Sequence, residues 1–189
     1  MSVNINIKTF TDARDGVTYK TVEIGGKTWF AENLRYKADD GCGCFDGNES
    51  NLGKFGRVYT WEAAKAVCPA GWHLPSGEEW AHLGKSVGGE ESDEGDTLWY
   101  LNAGTKLKSK DTWKNGGDSD AGEDSYGFCG LPDGFGKGGR ISDSGQWWSA
   151  TEHDKSRAYV WTLDDTRDDA YMAKDVDKKK MFAVRCVKD

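Results

Sequence analysis

The sequence predicts an α+β domain that is rich in loops, with two short helices, antiparallel sheets and a disulfide that closes the chain. Helical periodicity is confined to residues 61–88, whereas short runs of β-branched and aromatic residues dominate the second half. Helices and strands that are separated along the chain indicate α+β rather than repeated βα units. The 189 residues are expected to form one domain over residues 11–189, preceded by an N-terminal extension or first strand over residues 1–10.

A β-hairpin is predicted over residues 18–32, after a turn at residues 12–16. Gly25-Gly26 supplies a two-residue turn in which both residues tolerate positive φ, and strand-forming side chains flank it. The polar, glycine-rich stretch 37–56 is predicted as a long loop, which a compact domain seldom carries without a reason.

Two helices follow the hairpin. The first is predicted over residues 61–67, where Thr60 can act as N-cap and Pro69 ends the helix. The second opens at the capping box Ser76-x-x-Glu79 and ends at Gly88-Gly89. Its apolar residues recur at helical spacing on one face: Trp80, Leu83 and Val87.

After the second helix come two segments without a predicted strand, and short strands with wide loops are predicted from residue 107 onward. Residues 90–96 are acidic and are expected to be exposed, and residues 97–102 are expected to form a short helical turn. Three antiparallel strands are predicted over residues 146–150, 158–163 and 181–186. In the second of these, alternation places three apolar side chains on one face: Tyr159, Trp161 and Leu163.

Composition argues against two classes of partner. The net charge of −7 argues against a nucleic-acid ligand, because nucleic-acid-binding surfaces are basic. No run is long and apolar enough to insert into a membrane.

The 9 Trp, 7 Tyr and 7 Phe predict a largely aromatic core. No secretion signal is visible, and Met1 followed by Ser-Val-Asn is typical of a start codon added to a mature sequence, so export is inferred.

Five cysteines suggest a disulfide framework. A bond between Cys68, at the end of the first helix, and Cys186, in the last apolar run, would join the two ends of the domain. From the entropy that closing so long a loop removes from the unfolded chain, this bond would add roughly 4–5 kcal/mol to the free energy of unfolding, before native strain is subtracted. The odd count leaves at least one of Cys42, Cys44 and Cys129 unpaired or available for an intermolecular bond. Cys-x-Cys without a second pair is a weak metal signal.

Catalytic motifs are absent from the sequence. It contains no nucleophile elbow, phosphate-binding loop, zinc-protease motif or dinucleotide fingerprint. His73, in Trp-His-Leu-Pro, is expected to orient a turn by hydrogen bonding rather than to act in catalysis. We therefore expect a protein that is not an enzyme and that needs no cofactor, with Ca²⁺ as the one candidate ion.

The candidate Ca²⁺ site is the loop over residues 118–124. Oxygen ligands at alternate positions around a glycine suit a hard and flexibly coordinated cation. The alternative is a solvated acidic loop, which is common in a chain of this charge. The predicted ligands are Asp118, Asp120, Glu123 and Asp124.

A recognition surface is predicted over residues 153–175, where aromatic side chains alternate with charges of both signs. Such mixtures suit binding surfaces. The alternative is that Tyr159 and Trp161 belong to the core while the charges coat a sheet, and both can hold because strand residues alternate between faces. The predicted ligand-binding residues are His153, Asp154, Lys155, Arg157, Tyr159, Trp161, Asp164, Asp165, Arg167 and Tyr171.

A series of ordered motifs covers nearly the whole chain, from about residue 11 to residue 189. In order and spacing they resemble the Fibrobacter succinogenes major paralogous domain, a bacterial extracellular domain with a C-type-lectin-like fold. The motifs that carry the resemblance include Ile24-Gly25-Gly26-Lys27-x-Trp29, Ala31-Glu32-Asn33-Leu34, Gly56-Arg57-x-Tyr59-Thr60-Trp61, Cys68-Pro69-x-Gly71-Trp72-His73-Leu74-Pro75-Ser76, Trp147-Trp148-Ser149-Ala150-Thr151-Glu152 and Val184-Arg185-Cys186-Val187-Lys188-Asp189.

The resemblance implies a C-type-lectin-like fold closed by a Cys68–Cys186 disulfide, with the motifs filling core and turns. It implies surface binding or adhesion rather than catalysis. This chain departs from the family pattern at Leu52, where a second cysteine is frequent, and at Cys129, where serine is common. A Cys44–Cys129 or Cys42–Cys129 bridge is therefore an open alternative. The calcium-and-sugar motifs of animal lectins are absent.

Three hypotheses for function follow. The first is a non-catalytic, secreted or cell-surface module that binds a protein or a carbohydrate. The second is a receptor-binding protein diversified by retroelements, a class that also uses lectin-like folds. The third is an enzyme similar to the formylglycine-generating group, which Leu74-Pro75-x-x-x-Glu79-Trp80 resembles; those enzymes use two C-terminal cysteines with copper, whereas Cys186 stands alone in its region.

Overall fold

The structure, a computed structural model, describes residues 5–113, 122–132 and 144–189. Two sheets carry the fold, and we number their strands in chain order. In spatial order, the smaller sheet contains β1 (Ile7–Thr11), β2 (Thr18–Ile24), β3 (Lys27–Phe30), β13 (Val187–Lys188) and β6 (Trp72–His73). In spatial order, the larger sheet contains β4 (Cys42–Cys44), β5 (Arg57–Tyr59), β12 (Phe182–Ala183), β9 (Ser144–Glu152), β10 (Arg157–Asp164), β11 (Ala170–Asp177), β8 (Thr97–Leu101) and β7 (Glu90–Glu94).

Strand pairing and the short helices confirm an α+β fold. All strand pairs of the described residues are antiparallel except β12–β9, which is parallel. The helices are α1 (Leu52–Phe55), α2 (Trp61–Val67), α3 (Gly77–Ser86) and α4 (Gly104–Leu107). No helix of the described residues is both long and apolar enough to cross a membrane.

The predicted hairpin and both predicted helices are confirmed. The hairpin β2–β3 turns at Gly25 and Gly26, whose φ values of 61° and 76° suit glycine. Helix α2 has the predicted bounds, although Thr60 occupies the N-cap position without a side-chain capping bond. Helix α3 opens on the predicted capping box, in which Ser76 and Glu79 each accept a backbone N–H of the other.

Three predictions are corrected. Residues 97–102 are not a helical turn: β8 pairs with β7 on one side and β11 on the other, because Thr97-Leu98-Trp99-Tyr100-Leu101 favours a strand between two partners. Residues 37–56 are not one loop, since they contain β4 and α1. Residues 181–186 are not one strand: β12 joins the larger sheet, and the chain then crosses to the smaller sheet, where β13 pairs with β3 and β6.

Two aromatic cores lie on opposite sides of β9 and β10. Trp147 and Trp148 are neighbours on β9, so strand alternation points them to opposite faces, and both are fully buried. On the Trp147 side, Trp161 stacks on Trp80 of α3 with ring centroids 5.4 Å apart. On the other side, Trp148 packs against Phe182 at 4.8 Å. The central strands therefore divide the interior into two layers.

A buried guanidinium links the two sheets. Arg185 has no solvent exposure and lies 4.5 Å from the centroid of the Phe128 ring. Its Nε donates to Asn33 Oδ1 at 2.8 Å, and the indole N–H of Trp147 donates to the same oxygen at 2.8 Å. Its terminal nitrogens donate to three backbone carbonyls, those of Phe30, Phe128 and Cys129. These bonds replace the water that the charge loses on burial.

The disulfide between Cys68 and Cys186 is confirmed, with the two Cα atoms 6.0 Å apart. It joins the end of α2 to the segment that crosses from β12 to β13. The sulfur of Cys186 is thereby committed to a structural bond. Cys42, Cys44 and Cys129 are free thiols, so neither open alternative for a second bridge is formed.

Close packing of α3 against the larger sheet predicts an effect at Gly84. A Cβ at this position would lie 2.7 Å from the Tyr100 ring and 3.1 Å from Trp161. Alanine favours helix by about 1 kcal/mol over glycine, but overpacking costs about 1–3 kcal/mol. We expect Gly84→Ala to lower the free energy of unfolding in denaturant titrations. The control is Gly53→Ala in α1, where nothing lies within 4 Å of the added Cβ, and we expect it to be neutral or stabilising.

The Arg185 network predicts a large loss of stability on truncation. Arg185→Met keeps an apolar stem but leaves Asn33 Oδ1 and three buried carbonyls short of a donor. We expect the free energy of unfolding to fall by about 3 kcal/mol or more. Arg157→Met, at a side chain that is 44% exposed, is the control, and we expect a much smaller fall because exposed ion pairs contribute little to stability. Equal effects of the two substitutions would contradict a special role for the buried charge.

Candidate functional site

The predicted recognition residues do not form one surface. They separate into two groups at opposite ends of β10, which has eight residues, so that the groups lie about 23 Å apart at a rise of about 3.3 Å per residue. The first group occupies the β9–β10 turn and contains His153, Asp154, Lys155 and Arg157. The second lies at the other end of the strand, with Asp164, Arg167 and Tyr171. We call the first group the turn patch.

The turn patch is held together by its own hydrogen bonds. One oxygen of Asp154 accepts the backbone N–H groups of Ser156 and Arg157 at 2.8 and 2.9 Å. The other oxygen is 2.7 Å from the Arg157 guanidinium. The backbone bond from Ser156 and the side-chain bond from Arg157 hold the pKa of Asp154 well below its usual range. Asp154 and Arg157 thus shape the turn, while His153 and Lys155 are exposed.

The second group gathers around a tryptophan that sequence reasoning missed. Tyr171 of β11 lies directly opposite Trp99 of β8, and their ring centroids are 4.8 Å apart. The guanidinium carbon of Arg167 lies 4.8 Å from the Trp99 ring centroid. We call these three residues the aromatic shelf. The signal for Trp99 was the run of apolar, aromatic and β-branched residues at 97–101, which is typical of a strand.

The loop that carries Arg167 is anchored on both sides of this residue. Asp164 Oδ1 accepts the N–H and the hydroxyl of Thr166 at 3.0 and 2.7 Å. The ammonium of Lys108 donates to the Arg167 carbonyl at 2.5 Å. The Arg167 side chain is exposed and forms no ion pair with any residue that the structure describes. Its donors are therefore directed to solvent from a fixed backbone.

The chemistry of the shelf suits binding. Burial raises the pKa of Tyr171, and the carboxylate of Asp164 raises it further, so the phenol stays protonated at neutral pH. A guanidinium over an indole offers planar N–H donors beside an aromatic face, an arrangement that recognises carboxylates, sulfates and flat or cyclic ligands.

Three further predicted residues lie away from the open surface. Trp161 has no solvent exposure and belongs to the core beside α3, so it is removed from the predicted surface, since a fully buried side chain cannot contact a ligand. Tyr159 is partly buried and packs against the same core. Asp165 is 8% exposed. Tyr159 and Trp161 are two residues apart on β10, so both side chains point to the inward face of the strand.

A second polar cluster surrounds His73. Its Nδ1–H donates to Asp189 Oδ1 at 2.6 Å, and its Nε2–H donates to Glu79 Oε1 at 2.9 Å. Lys27 donates to the same Glu79 oxygen at 3.0 Å. The cluster lines a groove of about 640 Å³ with His82 from α3 and Lys65 from α2. Every hydrogen bond named here fastens one element to another, which agrees with the turn-orienting role predicted for His73.

The electrostatics of this cluster favour an imidazolium. Burial disfavours the charged ring, but hydrogen bonds to Asp189 and Glu79 outweigh it, so the pKa of His73 is raised above its ordinary value. Burial also opposes ionisation of Glu79, yet the N–H of Ser76 and the two cations lower its pKa. The cluster is therefore a charged clamp between β6, α3 and the end of the chain.

The predicted calcium loop lies partly outside the described residues. Asp118 and Asp120 are outside them, and Glu123 and Asp124 are inside. Asp124 has a positive φ of 44°, and its Oδ1 accepts the N–H of Cys129 at 2.8 Å. Glu123 accepts the Ser125 hydroxyl at 2.8 Å. The described part of the chain holds no group of three or more acidic, histidine or cysteine side chains placed for a metal, and Ca²⁺ binding stays a prediction.

Comparison with known proteins shows the family. The sequence model of the Fibrobacter succinogenes major domain family matches residues 22–188. This is most of the chain, so the protein belongs to that family. No curated protein matches the chain, and no solved structure matches it.

The His73 clamp predicts a dependence of stability on pH. Because the folded pKa of His73 is raised, its ionisation stabilises the fold fully below the unfolded pKa of about 6.5. This contribution is lost as the pH rises through the folded pKa. We expect the free energy of unfolding of the wild type, but much less that of His73→Gln, to fall between pH 6.5 and that value. NMR titration of His73 measures the folded pKa, and a pKa at or below 6.5 would contradict the clamp.

Proposed function

We propose that this member of the Fibrobacter succinogenes major domain family is a non-catalytic extracellular module for ligand binding or adhesion, with a C-type-lectin-like scaffold. Its ligand would be a protein or a carbohydrate, held by the aromatic shelf of Trp99, Arg167 and Tyr171. The turn patch would lie outside the main contact.

The observation that carries this proposal is the position of Trp99. The chain has nine tryptophans, all of them within the described residues, and eight are buried in the two cores. Trp99 alone is partly exposed. The chain thus buries every tryptophan except Trp99, which lies beside Tyr171 and beneath an exposed guanidinium. Tryptophan, tyrosine and arginine are the residues that most often dominate binding energy.

The surrounding frame supports a role in binding. The two aromatic rings of the shelf lie on paired strands of the larger sheet, which pack on a core that includes Trp161, Met172 and Trp80. A ligand that stacks on these rings pays little for ordering the protein, because the sheet already positions them. Rigid scaffolds that carry a small number of exposed contact residues are common among binding domains.

The disulfide supports an extracellular location. Disulfides form and persist in oxidising compartments and are rare in the cytosol. The Cys68–Cys186 bond spans 118 residues and would add stability outside the cell. The lectin-like assignment is supported by the short helices α2 and α3, the disulfide that links α2 to the C-terminal crossing, and the pairing of β13 with β3 near the start of the chain.

The proposal is tested by charge reversal at either end of β10. Arg167→Glu removes the shelf cation, and Arg157→Glu makes the same change in the turn patch, so the two variants share the same net charge. Labelled proteins are applied to an array of neutral, uronate-bearing and sulfated glycans and to bacterial cells of defined surface. We expect Arg167→Glu to weaken the wild-type binding about thirtyfold or more, as for a residue that contributes about 2 kcal/mol, and Arg157→Glu to retain it.

Arg167→Glu should melt within a few degrees of the wild type, because exposed substitutions change stability by about 0.5 kcal/mol. Arg157→Glu breaks the pair with Asp154, so its melting curve verifies that it remains folded. Binding lost in Arg157→Glu and retained in Arg167→Glu would assign the contact to the turn patch instead. Wild-type protein that binds neither glycans nor cells would contradict the adhesion role.

A further inference from the structure

A second pocket, which shares no residue with the aromatic shelf, opens beside the first strand. It has a volume of about 530 Å³, within the usual range for sites that take small molecules. Its apolar walls come from Ile5 and Ile7 near the N-terminus, Ala31 after β3, and Leu131 in the 122–132 segment. We call it the β1 pocket.

The apolar wall is unusually open. Ile5 and Ile7 are 40% and 44% exposed, and they are the exposed large hydrophobic residues of the described chain. Both pack on Gly127, where φ is 74° and a Cβ would lie 2.7 Å from Ile5 Cγ2 and 3.0 Å from Ile7 Cδ1. The absence of a side chain at Gly127 therefore lets the two isoleucines lie against the pocket floor. Their remaining surface stays in water, which is unfavourable unless something covers it.

The rim of the β1 pocket is cationic. Lys20, Lys54 and Lys110 surround it, and all three side chains are exposed. None forms an ion pair with any residue in the described ranges, although the chain as a whole carries a net charge of −7. Three ammonium groups around one opening favour an anion.

The two carboxylates of the pocket are already engaged. Glu32 pairs with Arg35 at 3.1 Å and accepts the backbone N–H of Lys20 at 2.6 Å. Asp124 Oδ1 accepts the N–H of Cys129 at 2.8 Å, and burial raises the pKa of Asp124. Asp124 also interacts with the charge of Lys110, but two carboxylates cannot balance three lysines, so the field at the opening remains positive.

We propose that the β1 pocket binds a small amphiphilic anion, a carboxylate on an aliphatic or aromatic body. The body would cover Ile5, Ile7 and Leu131, and the carboxylate would lie among the three lysines. This ligand meets both unsatisfied features of the site, because it removes apolar surface from water and supplies the missing counter-charge. A neutral or cationic molecule of the same shape meets only the first. The site is separate from the proposed adhesion surface and does not depend on it.

The test uses octanoate as the probe and octylamine as its cationic match. Titration calorimetry at low salt measures affinity, and methyl NMR of Ile5 and Ile7 reports where the probe binds. The pocket variant carries Lys20→Gln, Lys54→Gln and Lys110→Gln. The matched control carries Lys37→Gln, Lys179→Gln and Lys188→Gln, three exposed lysines that do not line the pocket, so both variants lose the same charge. Melting curves verify that each variant is folded.

We expect octanoate to bind the wild type and the control with equal affinity and to shift the Ile5 and Ile7 methyl signals. The pocket variant should bind about tenfold more weakly, since exposed ion pairs contribute modestly each. Octylamine should bind the wild type no more tightly than octanoate binds the pocket variant. Arg167→Glu should bind octanoate like the wild type, which separates this site from the shelf. Equal affinity of the two triple variants, equal affinity for both probes, or octanoate binding without shifts at Ile5 and Ile7 would overturn the proposal.

Discussion

Arg185 carries a full positive charge into the interior, and its neighbours are arranged to replace the water that it loses. Asn33, at the end of the first hairpin, accepts from both Arg185 and Trp147, so one amide oxygen joins the smaller sheet, the larger sheet and the C-terminal crossing. Three carbonyls complete the shell, including those of Phe128 and Cys129. A charge held in this way tolerates only one arrangement of the segments around it, because any shift leaves a buried donor unsatisfied.

Both aromatic layers contact the chain segment that carries Arg185. Trp147 faces one layer and Trp148 the other, and the indole N–H of Trp148 donates to the Tyr59 carbonyl at 2.7 Å. Each buried indole thus contributes apolar area and, where its N–H is bonded, a fixed orientation. The disulfide lies in the second layer and secures the end of α2 to the same crossing segment. Packing, hydrogen bonding and covalent closure all converge on residues 182–187.

A fold with this much internal packing and hydrogen bonding leaves few surfaces for binding a ligand. The His73 clamp consists of polar groups that are mutually satisfied, as expected for structural contacts. At two surfaces, by contrast, side chains are not fully satisfied by contacts within the protein. At the aromatic shelf, a tryptophan, a tyrosine and a guanidinium remain partly in water. At the β1 pocket two isoleucines lie beneath three lysines that form no ion pair with the residues the structure describes. Residual apolar exposure next to unbalanced charge is costly for the free protein, and a ligand can remove that cost.

The sequence by itself determined the features that depend on neighbours within a few residues. These are the Gly25-Gly26 turn, the capping box at Ser76, the bounds of α2 and the face of α3, because each rests on local hydrogen bonds or helical spacing. The motif order also predicted the family and the Cys68–Cys186 bond. Only the tertiary structure decided that residues 181–186 divide between two sheets, that residues 97–101 form a strand, that Trp161 is buried and that Trp99 stays partly exposed. Strand partners lie far apart in sequence, and a β-strand residue faces core or solvent according to its partner strands and the layer that covers them, which no local pattern specifies.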